Sequence, residues 1–291
     1  MLRLMRALVA VVLLLGTAAG CGSDGTELAS SPTFEYGRPV WIGDTLFFFT
    51  HNPYDSDSRP SLERLRPGGH PEPVTVTPPD CADPDVWQAV AMSEHEAGLL
   101  IRCAPHADPV LFRWDLGTGA LVSVLSIHTE GTDAAWSPHT GRLYYSSTQD
   151  CLTATGGPSE CYGGEGGFFP QVTAGGTLVY FTTRCGTAPR AEGYAFDVCR
   201  HDGPGRETTL ARGIIGPDGL AVHGDRIVIS GEVRDQDGLW LVSDGHLDLL
   251  REGKYDGVTI NPDGRHLTIA QTEDGFIDNT YSLRVVPLPR A

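Results

Sequence analysis

Asp218 and Asp256 occupy matching places in the chain. Each lies five residues ahead of a turn residue, at 223 and 261, and Gln88 and Thr132 stand in the same relation to 93 and 137, with Asp85 and Asp133 close by. Carboxylate and amide oxygens drawn from separate segments are what a hard cation such as calcium takes, in sets of about six to eight. Aspartate before glycine is also a good turn former, because its side chain accepts hydrogen bonds from the backbone just ahead of it. Asp218 and Asp256 are therefore candidate metal ligands for calcium, with a turn role as the alternative, and no other cofactor is expected.

Two further acidic runs, Asp235-Gln236-Asp237-Gly238 and Glu273-Asp274-Gly275, lack the alternating acids and the closing glutamate of a calcium-binding helix–loop–helix. Asp-Gly is a preferred hairpin dipeptide, and both runs are read as turns. Gly-x-Ser-x-Gly, Ser-x-x-Lys and His-Glu-x-x-His, which set a nucleophile or a metal-bound water beside a base, are all absent. No catalytic residue is assigned.

Seven cysteines occur, at 21, 81, 103, 151, 161, 185 and 199, and none stands in a CxxC pair. The ten histidines are scattered singly, without the close pairs of a zinc site. Leaving Cys21 aside, an even six remain, the arithmetic of three disulfides in an exported chain.

Export is written at the start of the chain. Arg3 and Arg6 precede an apolar run from Ala7 to Leu15, too short to span a bilayer. That run passes into Gly16-Thr17-Ala18-Ala19-Gly20-Cys21, which resembles a lipobox, with Ala18 where that motif prefers leucine. The resemblance makes residues 1–20 a lipoprotein signal peptide and Cys21 the acylated new N-terminus, on the outer face of the membrane or in the envelope. Residues 21–32, small and polar, read as a tether. Two arginines and no acid leave with the leader, taking the net charge from −16 to −18. So acidic a chain is a poor partner for nucleic acid.

The elements that must position these residues are strands. From Phe34 onward short β-rich runs alternate with Gly, Pro, Asp and Asn, and no long helical stripe appears. Ala134–Tyr145 and Val258–Ile269 share one plan, a strand, a tight Ser/Asn-Pro-x-x-Gly turn and a second strand. Weaker copies begin at Val40, Val90, Val172 and Ala221, and markers at 43, 93, 137, 174, 223 and 261 are 37 to 50 residues apart. Second hairpins follow at Leu111–Leu125 and Leu239–Leu250, at Ser61–Arg66 with Val74–Thr77, and at Tyr194–Arg200 with Thr208–Ala211. This is the period of a four-stranded propeller blade.

With Ser137-Pro138 and Asn261-Pro262-Asp263-Gly264 at the inner turns, residues 33–291 resemble TolB-like and WD40-like propeller repeats. The resemblance implies an all-β propeller of six blades. The blade holding the Gly-rich Cys151–Gly167 segment is expected to be irregular, and Thr33–Tyr36 to supply the strand that closes the ring. In such a ring Cys81 pairs with Cys103 and Cys185 with Cys199, because antiparallel strands bring those positions together, and Cys151 pairs with Cys161, which flank the Gly-rich outer segment. Trp41, Trp87, Trp136 and Trp240 are expected in the core. The function expected is a non-enzymatic, membrane-anchored and monomeric binding or scaffold module for an envelope protein or ligand. The alternative is a metal-dependent hydrolase or lactonase, since calcium-dependent six-bladed lactonases place their site at the channel mouth.

Overall fold

The computed structural model describes residues 25–289, apart from 56–57, 105–106, 128–132, 147–151, 157–161, 163–166, 190, 192, 204 and 275–278. Cys21, Thr132, Cys151 and Cys161 lie outside the described residues.

All the regular structure among the described residues is β. After β1 (Thr26–Ser31), the first blade is β2 (Glu35–Ile42), β3 (Thr45–His51), β4 (Ser61–Leu65) and β5 (Glu72–Pro73). The second is β6 (Asp85–Ala91), β7 (Glu96–Arg102), β8 (Val110–Asp115) and β9 (Leu121–Ser126). Among the described residues the third holds β10 (Ala134–Ser137), β11 (Arg142–Ser146) and β12 (Leu152–Ala154), with a bridge from Leu152 to Tyr162 beside β12. The fourth and fifth are fused in one seven-stranded sheet: β13 (Phe168–Val172), β14 (Leu178–Thr182), β15 (Ala195–Gly203), β16 (Arg206–His223), β17 (Arg226–Val233), β18 (Gln236–Ser243) and β19 (His246–Glu252). The 18-residue β16 ends one blade with its first half, paired to β15, and opens the next with its second half, paired to β17. The sixth blade is β20 (Lys254–Ile260), β21 (His266–Glu273) and β22 (Thr280–Pro287), with β1 as its outer strand.

The closing strand is thus Thr26–Ser31, not the expected Thr33–Tyr36; Glu35 and Tyr36 already belong to the innermost strand of the first blade. The ring begins inside the stretch expected as tether. Its pairing with β22 runs from Thr26↔Val285 to Ser31↔Tyr281, so the two ends of the domain are joined in one sheet.

Six apolar clusters hold the blades together, one per interface. Phe47 and Phe49 pack against Leu99 and Ile101 of the second blade, while Leu46 and Phe48, between and beside them on the same strand, face Ala270 and Leu283 of the sixth. Strand periodicity sends successive side chains to opposite faces, and here each face meets a different neighbour. The same division recurs at Leu100 against Leu143, at Leu178 and Tyr180 against Tyr144, at Val179 and Phe181 against Ile229, and at Val228 against Ile269.

Antiparallel order puts the starts of first and third strands on one face of the ring, the entry face. The longest connections lie there, 52–60, 74–84 and 183–194 among them, beside short ones such as 234–235, whereas the opposite face carries turns such as 43–44, 224–225 and 244–245. Both described disulfides brace the entry face. Cys81, in the connection leading to β6, bonds Cys103 just past β7, with Cα atoms 4.9 Å apart. Cys185 bonds Cys199 across 5.6 Å, as the topology required. Each contributes about 2–4 kcal/mol.

Two outcomes test this arrangement. A Cβ on Gly257 would sit 2.9 Å from Pro39 Cδ and 3.1 Å from Arg38 N across the junction of the sixth and first blades. Gly257→Ala is expected to lower stability by about 1–3 kcal/mol in urea denaturation, with Gly117→Ala, in an open turn, near neutral. Peptide mapping without reduction is expected to return 81–103, 185–199 and 151–161; linkages between other partners would overturn the blade boundaries.

Candidate functional site

Five of the six inner strands break register with their neighbour near the entry face. The irregularities fall at Gly37/Val40, Val86/Gln88, Phe168/Gln171, Ile215/Gly219 and Tyr255/Gly257. A bulge re-aims side chains out of the alternation of a strand. Two of these bulges hold non-glycine residues in the left-handed region, Arg38 (φ 50°) and Phe169 (φ 48°), and each stands before a proline. A conformation of that kind costs of order 1–3 kcal/mol and persists only where its surroundings enforce it.

At their centre is a cavity of about 200 Å³, lined in blade order by Arg38, Gln88, Asp133, Phe169, Asp218 and Gly257. The Arg38 guanidinium donates from Nη1 to the Trp87 carbonyl at 2.8 Å. Burial lowers its pKa and the Asp133 carboxylate pushes it back up. Asp133 mirrors this: burial raises its pKa, while Arg38 and the Phe169 N–H favour its charged form. Next to Gln88, the Trp87 indole donates to Asp85 Oδ2 at 2.7 Å and carries the Arg102 guanidinium over its ring at 3.3 Å.

The other half of the mouth is acidic. Asp218 is pushed up to about 6 by burial, then by Asp256, Asp237 and Glu35. Asp256 is raised by burial although its carboxylate accepts the Thr272 hydroxyl. Glu35 is raised by burial and by Asp256, and lowered by His51, whose Nε2 lies 3.4 Å away. Lys254, the remaining cation of this half, is held by Asp274 at 3.0 Å.

Of the two candidate ligands, Asp218 lines the cavity with Gln88 and Asp133, and Asp256, outside the lining, is near enough to raise the pKa of Asp218. Such a cluster can attract a cation, and a carboxyl group titrating near neutrality can take and return a proton. Among the described residues, the one trio of His, Cys, Asp or Glu ligand atoms within 4.8 Å of one another is Cys185, Cys199 and Glu207, whose cysteines are already bonded together. The acids of the mouth are more widely spread. Asp235 sits with Arg234 in the two-residue turn between β17 and β18, at φ 64° and 55°, a hairpin as expected.

Arg38, Glu35 and Phe169 went unnoticed in the sequence, yet a signal exists. Arg38-Pro39, Phe169-Pro170 and Gly216-Pro217 repeat an X-Pro step at the start of three inner strands, and proline inside a sheet marks a bulge or an edge. Of the tryptophans, Trp240 is buried as expected and donates to the Gly231 carbonyl at 3.0 Å, but Trp41, Trp87 and Trp136 are half-buried, and Trp136 lines the cavity.

No family model matches the sequence, and no curated protein does. Solved structures share the fold. TolB from Acinetobacter baumannii superposes with a TM-score of 0.55 at 10% identity, over 87% of this chain and 80% of that one. An oligogalacturonate lyase in complex with manganese gives 0.53 at 15%, over 85% and 74%. The acylaminoacyl peptidase of Pyrococcus horikoshii gives 0.52 at 13%, over 89% of this chain but 46% of its own, so this chain spans just under half of that enzyme.

The electrostatics give a signed outcome. With its pKa raised in the folded state, Asp218 favours folding below the ordinary aspartate range, near pH 4, and that contribution is lost as pH rises through about 6. Its contact with solvent limits the size of the effect. Asp218→Asn is expected to raise Tm relative to the parent at about pH 8 and to leave the difference near zero at about pH 4; an equal shift at both would refute the assignment.

Proposed function

We propose that this chain is an exported, lipid-anchored propeller that binds an envelope partner through its entry face and does not catalyse. One observation carries the reading. The exposed aromatics among the described residues, Phe34, Tyr54 and Tyr194, all lie on entry-face connections. The sequence shows no repeated aromatic loop position, and it is the order of the strands that puts the three on one face. A rigid scaffold presenting long loops on one face is a common design for recognition, and aromatic side chains are the anchors of such surfaces. The two disulfides support an oxidising compartment, and the lipobox-like leader supports Cys21 as the anchor.

A second reading, a metal-dependent hydrolase or lactonase, is favoured by the convergence of Asp218, Asp256 and Glu35. The two part on activity. A photo-cross-linking residue at position 194 or 34 is expected to capture an envelope protein in intact cells, and one at His246, on the opposite face, to capture none. Equal capture from both faces, or hydrolysis of a lactone panel abolished by the Asp218→Asn/Asp256→Asn pair, would sink the binding reading. Cys21→Ser is expected to abolish labelling by a radioactive fatty acid and to release the protein from the membrane fraction.

A further inference from the structure

The cavity has a size, a charge and a wall composition that together select a class of ligand. About 200 Å³ corresponds to roughly six or seven water molecules, too roomy for a bare metal ion and suited to a short organic group. Beside it, glycine on the inner strands of the fifth and sixth blades lets neighbouring backbones close up. A Cβ on Gly219 would lie 3.0 Å from Ser230 Oγ and 3.1 Å from Val258 N, so backbone there runs against backbone with no room for a side chain.

The charges do not cancel. Arg38 and Asp133 face each other and offset one another. Asp218 lies in the field of Asp256, Asp237 and Glu35, while Lys254 is engaged by Asp274 and the His51 ring lies against Glu35. An excess of negative charge is left at the cavity. On the third and fourth blades its lining includes Trp136 and Phe169, both half-buried, and aromatic faces attract alkylated cations. On the second blade Gln88 Oε1 is buried without a hydrogen-bond partner, an acceptor suited to a donor inside the cavity.

Resting on the reading of the entry face as the ligand-binding face, we propose that the cavity binds an alkylammonium group, with Asp218 supplying the counter-charge, Trp136 and Phe169 the aromatic wall and Gln88 Oε1 an acceptor for an ammonium N–H. A divalent ion is disfavoured by the spread of the acids, none of which forms a trio of ligand atoms within 4.8 Å among the described residues of the mouth.

The test is calorimetric titration of the full chain in detergent with n-butylammonium chloride, n-butanol and calcium chloride at constant ionic strength. Tryptophan fluorescence reports on the occupied cavity. The expected result is saturable 1:1 binding of butylammonium alone, weakened about tenfold or more by Asp218→Asn and by Trp136→Leu. Asp248→Asn, exposed on β19, is expected to leave it unchanged. A terminally blocked tripeptide with a central lysine separates the two sources of the group. Binding at least as tight as butylammonium assigns it to a lysine of a protein partner, and weaker or absent binding assigns it to a free amine. Calcium binding without amine binding, equal binding of butanol, or indifference to Asp218→Asn would overturn the proposal. Because cross-linking from positions 194 and 34 does not pass through the cavity, persistence of that capture would show that the alkylammonium assignment alone had failed.

Discussion

Every blade of this ring is covered on both faces by other blades, and the rest of the structure answers to that constraint. A sheet with one wet face alternates apolar and polar residues, whereas one covered on both sides reads as an unbroken apolar run. Leu46-Phe47-Phe48-Phe49, Leu99-Leu100-Ile101 and Leu178-Val179-Tyr180-Phe181 are such runs, and all are second strands. Each serves two clusters at once, so no blade can be removed without exposing two interfaces. The ring must therefore close, and it closes by hydrogen bonds between β1 and β22 and by the Trp41 indole, which donates to Asn261 Oδ1 and Thr268 Oγ1 of the sixth blade.

Closing six wedges around an axis leaves the centre incompletely filled, and the inner strands meet that problem with small residues, bulges and strain. Gly219 and Gly257 allow backbones to pass within contact of Val258 and Arg38. The positive φ of Arg38 and Phe169 is the remainder of the same accommodation: each residue turns away from the ladder before a proline that has no N–H to give to it. Unsatisfied or strained groups gather where the ladder is broken, and that is why the polar side chains of the mouth come from bulges and from the connections beside them.

Much of the blade order was legible because turns and second strands are local. The Asn261-Pro262-Asp263-Gly264 turn closes through Gly264 N to Asn261 O at 2.9 Å, with Gly264 at φ 64°, as proline and glycine in that pattern require. The weak third blade was legible from its glycine content, and the bonds Cys81–Cys103 and Cys185–Cys199 from strand order. The closing strand was not. Thr26–Ser31 is polar and largely exposed, with nothing in its own composition to mark a strand, and it is held in register by β22, more than 250 residues away. Arg38 and Phe169 were hidden for a related reason, since the face to which a side chain points at a bulge depends on the partner strand.

The aspartates of the two faces stand in different surroundings. On the side of the short turns, Asp115 accepts the N–H groups of Thr118 and Gly117 at 2.8 and 2.9 Å, and its pKa falls. Asp263, despite some burial, is likewise lowered by the Arg265 N–H and by His266, whose Nδ1 is 2.6 Å away. Those are aspartates stabilised in their charged form by the turns they make. On the entry face Glu35, Asp133, Asp218 and Asp256 all move the other way, raised by burial and, for Glu35 and Asp218, by neighbouring acids. A turn former has no reason to stand where its charge is disfavoured, because the hydrogen bonds that fix the turn also lower its pKa. Negative charge at a cavity mouth runs against that tendency, and because binding sites concentrate perturbed carboxyl groups, this contrast between the faces is the physical ground for proposing a binding role at the entry face.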